Sequence, residues 1–303
     1  MADLIEDADD VPQPESAPLT TDQQQHDSSS ATRATPSSPE PPAKRNAFTE
    51  LMAPKPKAPI SQAPQSLAHK ASQVIRGVWR GALIEYIEHP ERFPDQVLRV
   101  TDKTVLIKDA FPKATIHLLL LPRSPAHYLL HPHTAFDDSA FLAMMREEAA
   151  VATQLAAAEL ARRLGPFSAT NRARDEAMSR LWQQSDCDPQ QHQLPPGRDY
   201  SRDMRVGTHA HPSMAHLHVH IISRDMHSDR MRHRKHYNSF NTPFFVPLAD
   251  YPLAADDVRR ETGFQNGNLA KDLVCWRCGK GFGNRFAELK RHLEDEFEKW
   301  RAE

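Results

Sequence analysis

Histidine alternates with apolar residues in the segment His216–Ile222, which reads His-Leu-His-Val-His-Ile-Ile. Side chains on a β-strand alternate between its two faces. The segment therefore predicts a strand whose three imidazoles share one face, while Leu217, Val219 and Ile221 enter a hydrophobic core. Several imidazoles converging on one spot indicate a site for phosphate or for a metal ion.

Two kinds of chemistry suit this pattern. Imidazoles bind zinc, and no spacing rule excludes a His-x-His pair on a strand. A neutral imidazole is also a nucleophile near pH 7, so the middle histidine, His218, can attack phosphorus while its neighbours orient it or hold phosphate oxygens. The segment contains no carboxylate and no cysteine, which favours phosphate chemistry. The cluster extends upstream to His209, His211 and Ser213.

A second constellation lies near the C-terminus, where Cys275-x-x-Cys278 is followed by His292. This spacing is typical of a zinc finger. Glu296 lies one helical turn after His292 and on the same helix face, and a carboxylate oxygen can bind zinc. We therefore expect one structural zinc ion held by two cysteines, one histidine and Glu296. The rival carboxylates, less well placed, are Glu294 and Asp295.

Both α-helices and β-strands are predicted around these residues. The sequence therefore predicts the α+β class, with mostly antiparallel strands. Apolar periodicity and turn residues predict a hairpin of Val97–Val100 and Val105–Ile107, a buried strand at Ile116–Leu121, and helices at Ser139–Leu164 and Ala169–Trp182. Asp137 or Asp138 is expected to cap the first of these helices. Apolar residues at helical spacing also predict a helix that includes Trp79 and ends before Pro90.

Composition divides the 303 residues into four parts. Residues 1–71 are rich in Pro, Ser and Gln and are expected to be disordered. Residues 72–245 form the main domain, with a surface insertion at 183–200, followed by a linker at 246–270 and the finger at 271–303. There is no long apolar run that would span a membrane, and Met1–Asp10 lacks the pattern of a secretory signal.

The tail contains one apolar patch, Asn46–Met52, flanked by Lys44-Arg45, Lys55 and Lys57. Such a patch can fold on a protein partner, and its basic flanks resemble a weak nuclear import signal. An inert tail is an equally open interpretation.

Four segments in order resemble one known family. His216–Ile222 resembles the signature of the histidine triad (HIT) superfamily of nucleotide hydrolases and transferases. With the adjoining residues 206–215 it forms one segment. Together with residues 108–122, residues 236–242 and the finger, this segment resembles the aprataxin branch, in its fungal form. The similarity covers about Val74 to Glu303. It implies a HIT-like antiparallel sheet with flanking helices, plus a small C-terminal zinc finger.

The resemblance implies a nuclear DNA-repair hydrolase. It would remove AMP from 5′-adenylated DNA at nicks or ends through a covalent His–AMP intermediate, release AMP and leave a 5′-phosphate. A general HIT hydrolase of small dinucleotides or phosphoramidates is the alternative, but a small substrate needs neither a finger nor a DNA wedge. A non-enzymatic nucleic-acid-binding module is a third interpretation, and the full set of histidines argues against it.

The resemblance also assigns roles to residues. Catalysis would fall to His218 as nucleophile, His209 at the leaving group, His216 and His220 as orienting or phosphate-binding groups, and Lys235 as a positive charge that Arg232 could replace. The nucleotide- and phosphate-binding residues would be Asp109, Lys113, His117, Ser213 and Ser239. The DNA-binding residues would be Trp79, Arg232, Lys280 and Arg285, although a core position for Trp79 is also open.

Overall fold

A six-stranded antiparallel sheet lies at the centre of the structure. The computed structural model describes residues 80–183 and 194–303, which belong to one unit, Gly77–Glu303. The strands are β1 (Val97–Val100), β2 (Thr104–Lys108), β3 (His117–Pro122), β4 (Met204–His209), β5 (Val219–Ser223) and β6 (Phe245–Pro247). Their spatial order is β1-β2-β3-β5-β4-β6, and each neighbouring pair is antiparallel. The expected α+β class is confirmed.

Seven α-helices accompany the sheet in the described part of the chain. They are α1 (Ile84–Glu88), α2 (Pro132–Ala135), α3 (Ser139–Leu164), α4 (Arg172–Trp182), α5 (Arg234–Asn241), α6 (Thr262–Ala270) and α7 (Phe286–Arg301). The helix predicted at Ser139–Leu164 is confirmed as α3, and Asp138 rather than Asp137 caps it. The Asp138 carboxylate accepts hydrogen bonds from the backbone N–H groups of Ala140 and Phe141.

The hairpin predicted near residue 100 is confirmed by β1 and β2. Val100 lies opposite Val105, and the Thr101 hydroxyl accepts the backbone N–H of Thr104 across the turn. The same alternation continues through β3 and β5, so the sheet has two different faces. Leu120 and Ile221 face α3 and pack in its core.

The opposite face of the sheet carries the histidines. Other elements pack on this face to either side of them. Leu83, directly before α1, and Ile87, within α1, pack with Val105 and Ile107 of β2, near the edge of the sheet formed by β1. Helix α5 and the C-terminal finger pack on Ile222 at the other end. Between these two covers, His117 of β3 and His220 of β5 lie in contact on this face of the sheet.

The finger consists of β7 (Leu273–Val274), β8 (Gly281–Gly283) and α7, and it is joined to the sheet by more than a linker. The segment expected as a linker, 246–270, contains most of β6 and all of α6. Trp300 of α7 is 2% exposed and packs in the same core as α3. Its indole N–H donates to the Asp203 carboxylate at 3.1 Å, and the Arg198 guanidinium pairs with the same carboxylate.

Several expectations fall on residues outside the described ranges. These are the tail at 1–71, Trp79, and residues 184–193 of the predicted insertion. Of the helices in 80–183 and 194–303, none has the length and apolar character needed to cross a bilayer.

Strands β4 and β6 approach each other closely at Gly207, so a substitution of this glycine tests their packing. A Cβ atom at Gly207 would lie 2.3 Å from the carbonyl oxygen of Val246 and 2.8 Å from the Phe245 ring. We expect Gly207→Ala to lower the free energy of unfolding by about 1–3 kcal/mol, measured by urea denaturation. A Cβ atom at Gly263 in α6 would meet no described atom within 4 Å beyond the adjacent chain and the helix's own backbone. Gly263→Ala should therefore raise this free energy by up to about 1 kcal/mol. Equal effects of both variants would contradict the packing.

Candidate active site

The histidines of the segment 216–220 are all buried. Strand β5 begins at Val219, so His216 and His218 lie in the extended chain just before it and His220 lies within it. Each is at most 6% exposed, and the rings of His218 and His220 have centroids 4.9 Å apart. The expected alternation is confirmed, because Leu217, Val219 and Ile221 are at most 1% exposed on the α3 side.

One hydrogen bond fixes the tautomer of His218. Its Nδ1 lies 2.8 Å from the carbonyl oxygen of His216, and a carbonyl oxygen can only accept. Nδ1 therefore carries the proton, and Nε2 presents a lone pair. Burial lowers the pKa of His218, so the ring stays neutral near pH 7. This is the state in which an imidazole acts as a nucleophile.

A chain of hydrogen bonds gives His220 the opposite tautomer. The backbone N–H of Lys113 donates to Nδ1 of His117 at 3.2 Å, so the neutral His117 ring carries its proton on Nε2. That Nε2 lies 2.9 Å from Nδ1 of His220, which must then accept. His220 therefore carries its proton on Nε2, a buried atom without a hydrogen-bond partner in residues 80–183 and 194–303. An unpaired N–H on a ring whose centroid lies 4.9 Å from that of His218 is a donor for an incoming oxygen.

Asp109 lies next to this chain. One of its carboxylate oxygens is 3.4 Å from Nδ1 of His117, and the other accepts the backbone N–H of Phe111 at 2.7 Å. The carboxylate raises the pKa of His117, but burial acts more strongly and lowers it to about 4. His117 is therefore neutral near pH 7, as the tautomer chain requires. The expected contact of Asp109 with a ribose remains a prediction.

His209 completes the group of four imidazoles, His117, His209, His218 and His220, which we call the histidine pocket. Its ring centroid is 4.5 Å from that of His220, and its Nε2 is buried and has no hydrogen-bond partner among the described residues. Burial, followed by the neighbouring histidines, holds the pKa of His209 well below 6.5. A negatively charged phosphate placed beside the ring would raise this pKa and allow His209 to hold a proton.

The remaining predicted residues surround the pocket at different depths. Ser239 on α5 is nearly buried and donates its hydroxyl to the His236 carbonyl at 3.1 Å. Ser213 is exposed in the loop before His216, and Lys235 and Arg232 are exposed at the start of α5 and just before it. The Lys113 ammonium lies 5.8 Å from the centre of the Phe111 ring. Their roles in binding phosphate remain predictions.

The structure adds aromatic and histidine neighbours that the sequence analysis did not single out. Phe240 lies within 5.4 Å, centroid to centroid, of the rings of His117, His209 and His220. The i, i+4 spacing of His236 and Phe240 was the available signal for a shared helix face. His211, which the sequence grouped with the triad histidines, lies in a separate cluster with His131 and His133. This cluster is beside Tyr251, whose hydroxyl contacts Nδ1 of His133 at 3.0 Å.

The finger brings together three metal-ligand side chains. Ligand atoms of Cys275, Cys278 and His292 all lie within 4.8 Å of one another, and Cys278 Sγ is 3.1 Å from His292 Nε2. Two thiols and an imidazole are a donor set that suits zinc. Glu296 is buried on the same helix face, with a carboxylate oxygen 4.0 Å from His292 Nε2. That carboxylate pairs with Arg277 and Lys299.

The predicted DNA-binding residues of the finger are exposed. The Lys280 ammonium lies 5.3 Å from the centre of the Phe282 ring, and Arg285 pairs with Glu288 at 3.5 Å. Both side chains can therefore reach solvent and a phosphate group. Their contact with DNA remains a prediction.

Comparisons with known proteins agree with this arrangement. The HIT domain family model matches residues 91–227, and that of the C2HE / C2H2 / C2HC zinc-binding finger matches residues 241–299. The "Aprataxin-like protein" of Saccharomyces cerevisiae is 35% identical over 222 residues, covering 72% of this chain and 96% of its own length. That of Schizosaccharomyces pombe is 34% identical over 224 residues, covering 73% and 83%.

Solved structures show the same likeness. The crystal structure of the aprataxin ortholog Hnt3 in complex with DNA has a TM-score of 0.52 and 30% identity, covering 73% of this chain and 96% of that chain. Hnt3 in complex with DNA and guanosine has a TM-score of 0.53 and 31% identity, covering 73% and 97%. Fold and site thus define a HIT-domain hydrolase with a zinc-binding finger. Within that class, the chain belongs to the aprataxin family.

Buried neutral histidines make stability depend on pH. The pKa of His117 is about 4 in the folded chain and 6.5 without burial, so below pH 6.5 the unfolded chain binds a proton that the folded one does not. Stability is therefore lost as the pH falls from 6.5 to about 4, by about 3 kcal/mol for His117. We expect His117→Phe to reduce the slope of unfolding free energy against pH over this window. The same slope in both proteins would contradict the burial of a neutral His117.

Proposed function

We propose that the chain hydrolyses 5′-adenylated DNA, releasing AMP and leaving a 5′-phosphate. The observation that carries this function is the hydrogen-bond geometry of the histidine pocket, from which we infer opposite tautomers for His218 and His220. His218 presents a nucleophilic nitrogen, and His220 presents a hydrogen-bond donor beside it. Phosphoryl transfer needs these two groups, one to attack phosphorus and one to neutralise its oxygens.

In the first step, Nε2 of His218 attacks the adenylate phosphorus. A phosphorus–nitrogen bond forms, and the phosphoanhydride bond to the DNA 5′-phosphate breaks. The positive charge that develops on His218 is spread toward the His216 carbonyl through the Nδ1–H bond. The Nε2–H of His220 donates to a non-bridging oxygen, and His209 supports the leaving phosphate by a hydrogen bond or by a proton. Water then cleaves the phosphorus–nitrogen bond and releases AMP.

The choice of DNA as substrate rests on the family and on the finger. Solved relatives are described as Hnt3 in complex with DNA, one of them also with guanosine. We assign DNA contacts to the exposed Arg232, Lys280 and Arg285 and to Trp79, which lies outside the described residues. Lys235, Ser213 and Ser239 then bind phosphate oxygens, and Asp109 binds the ribose. We also propose a nuclear location, because the substrate is DNA. We further propose that the tail, residues 1–71, binds a repair protein.

The reaction is tested with the purified full chain and a 5′-adenylated nicked duplex, following AMP release. We expect His218→Ala to lower the rate roughly 10³-fold or more, because the nucleophile is lost. His127→Ala is the matched control, since His127 stacks on Phe141 at the start of α3 and should leave the rate unchanged. Release from small adenylates with no gain from duplex DNA would instead favour the general HIT hydrolase. No release from either substrate would contradict both.

We further propose that the finger holds one structural zinc ion and that Glu296 is its fourth ligand. The zinc-binding finger family and the three clustered ligands support zinc, and the burial of Glu296 beside His292 supports the carboxylate. When bound, the ion would tie β7, the Cys275–Cys278 knuckle and α7 together.

The fourth ligand is tested by zinc affinity in competition with a chromophoric chelator. We expect Glu296→Gln to weaken zinc binding at least about tenfold, because an anionic ligand is replaced by a neutral one. Glu294→Gln removes the neighbouring carboxylate and should leave the affinity unchanged. A loss in Glu294→Gln without a loss in Glu296→Gln would reassign the ligand.

A further inference from the structure

Phe240 forms an apolar wall of the histidine pocket. It is 2% exposed, and its ring lies nearly perpendicular to those of His117 and His220, at 90° and 87°, with centroids 5.4 and 5.3 Å away. The His209 ring is 4.7 Å away. A single phenyl ring therefore touches three of the four imidazoles of the pocket. Because a protein interior is close-packed, a shift of the Phe240 ring would change the positions of these three imidazoles or loosen their packing.

Phe240 lies on α5, and Tyr237, three residues earlier on the same side of that helix, is bound to the finger. The Tyr237 hydroxyl donates to the carbonyl of Val274 and accepts the backbone N–H of Trp276, each at 2.9 Å. These are the residues on either side of Cys275. The Asn238 amide donates to the carbonyls of Leu269 and Lys271, at 3.2 and 2.7 Å, where α6 leads into β7.

The side chains of Tyr237 and Phe240 belong to one hydrophobic cluster. Tyr237 and Phe240 pack with Ile222 of the sheet and with Phe282 and Leu293 of the finger. Helix α5 has only eight residues, and isolated helices of that length are marginal in water. Its position therefore depends on the surfaces to which it is fixed, and the finger supplies one of them.

We propose that Phe240 is a positioning residue for the histidine pocket, and that the Tyr237 hydroxyl, by binding both neighbours of Cys275, holds α5 and Phe240 in place. The finger thus acts on the chemical step itself, in addition to any contact with DNA. The kinetic part of this inference rests on the proposed hydrolase function. The structural part concerns only the environment of the imidazoles.

The kinetic test uses a small substrate, adenosine 5′-phosphoramidate, which cannot bridge from the pocket to the finger. We expect Phe240→Leu to lower kcat about tenfold and Tyr237→Phe about threefold, because small displacements of reacting groups are costly. KM should change less than kcat in both. If the finger only bound DNA, Tyr237→Phe would leave the turnover of this small substrate unchanged.

The controls are the same substitutions on the other face of the sheet. Phe136→Leu removes a fully buried phenyl ring that contacts Phe141 and Tyr251. Tyr251→Phe removes a buried hydroxyl that contacts Thr208 and His133. Both should keep kcat near that of the original chain at a temperature where all variants are folded. Equal losses in test and control variants would reduce the effect to general destabilisation and overturn the proposal.

Nitrogen-15 NMR of the histidine side chains gives a readout independent of activity. We expect the ring-nitrogen signals of His117, His209 and His220 to shift in Phe240→Leu and Tyr237→Phe and to stay in place in the two controls. Unchanged signals in both test variants would overturn the proposal. If the original chain releases no AMP from any adenylate, the proposed function fails, and the NMR comparison still decides the positioning role.

Discussion

The backbone N–H of Lys113 determines where the protons lie in the histidine pocket. Because it donates to Nδ1 of His117, His117 must donate to His220, and His220 must direct its own N–H into the site. The His216 carbonyl imposes the reverse arrangement on His218. Two imidazoles of the same chemical type, two residues apart, thereby become a donor and a nucleophile. The rest of the fold must hold these few backbone groups still.

Burial and hydrogen bonding act together in this arrangement. A tautomer chain has meaning only for neutral rings, and removal from water is the largest cause of the lowered pKa values of His117, His209, His218 and His220. The sheet achieves this burial by its alternation, which sends apolar residues to α3 and histidines to the opposite face. Cover from α1 on one side and from α5 with the finger on the other keeps water away.

Much of this architecture could be predicted from local patterns. The hairpin, the α3 helix with its cap, the buried alternation around His218 and the spacing of Cys275, Cys278 and His292 are each determined within a few residues along the chain. The tautomer chain could not be predicted, because it joins Lys113 and His117 to His220, about a hundred residues later. The role of Phe240 also stayed hidden, since an apolar residue on a short helix does not reveal which three rings it will meet. Contacts made by tertiary packing leave no periodic signal.

The position of Trp300 has a thermodynamic consequence. This side chain belongs to the finger by sequence, yet it lies in the core under α3, and its indole is bonded to Asp203 just before β4. A second apolar cluster runs without a break from Ile222 of the sheet to Leu293 of α7. Neither part can therefore expose its interior while the other keeps its own intact. The catalytic sheet and the finger, although two families by sequence, form one cooperative unit of unfolding.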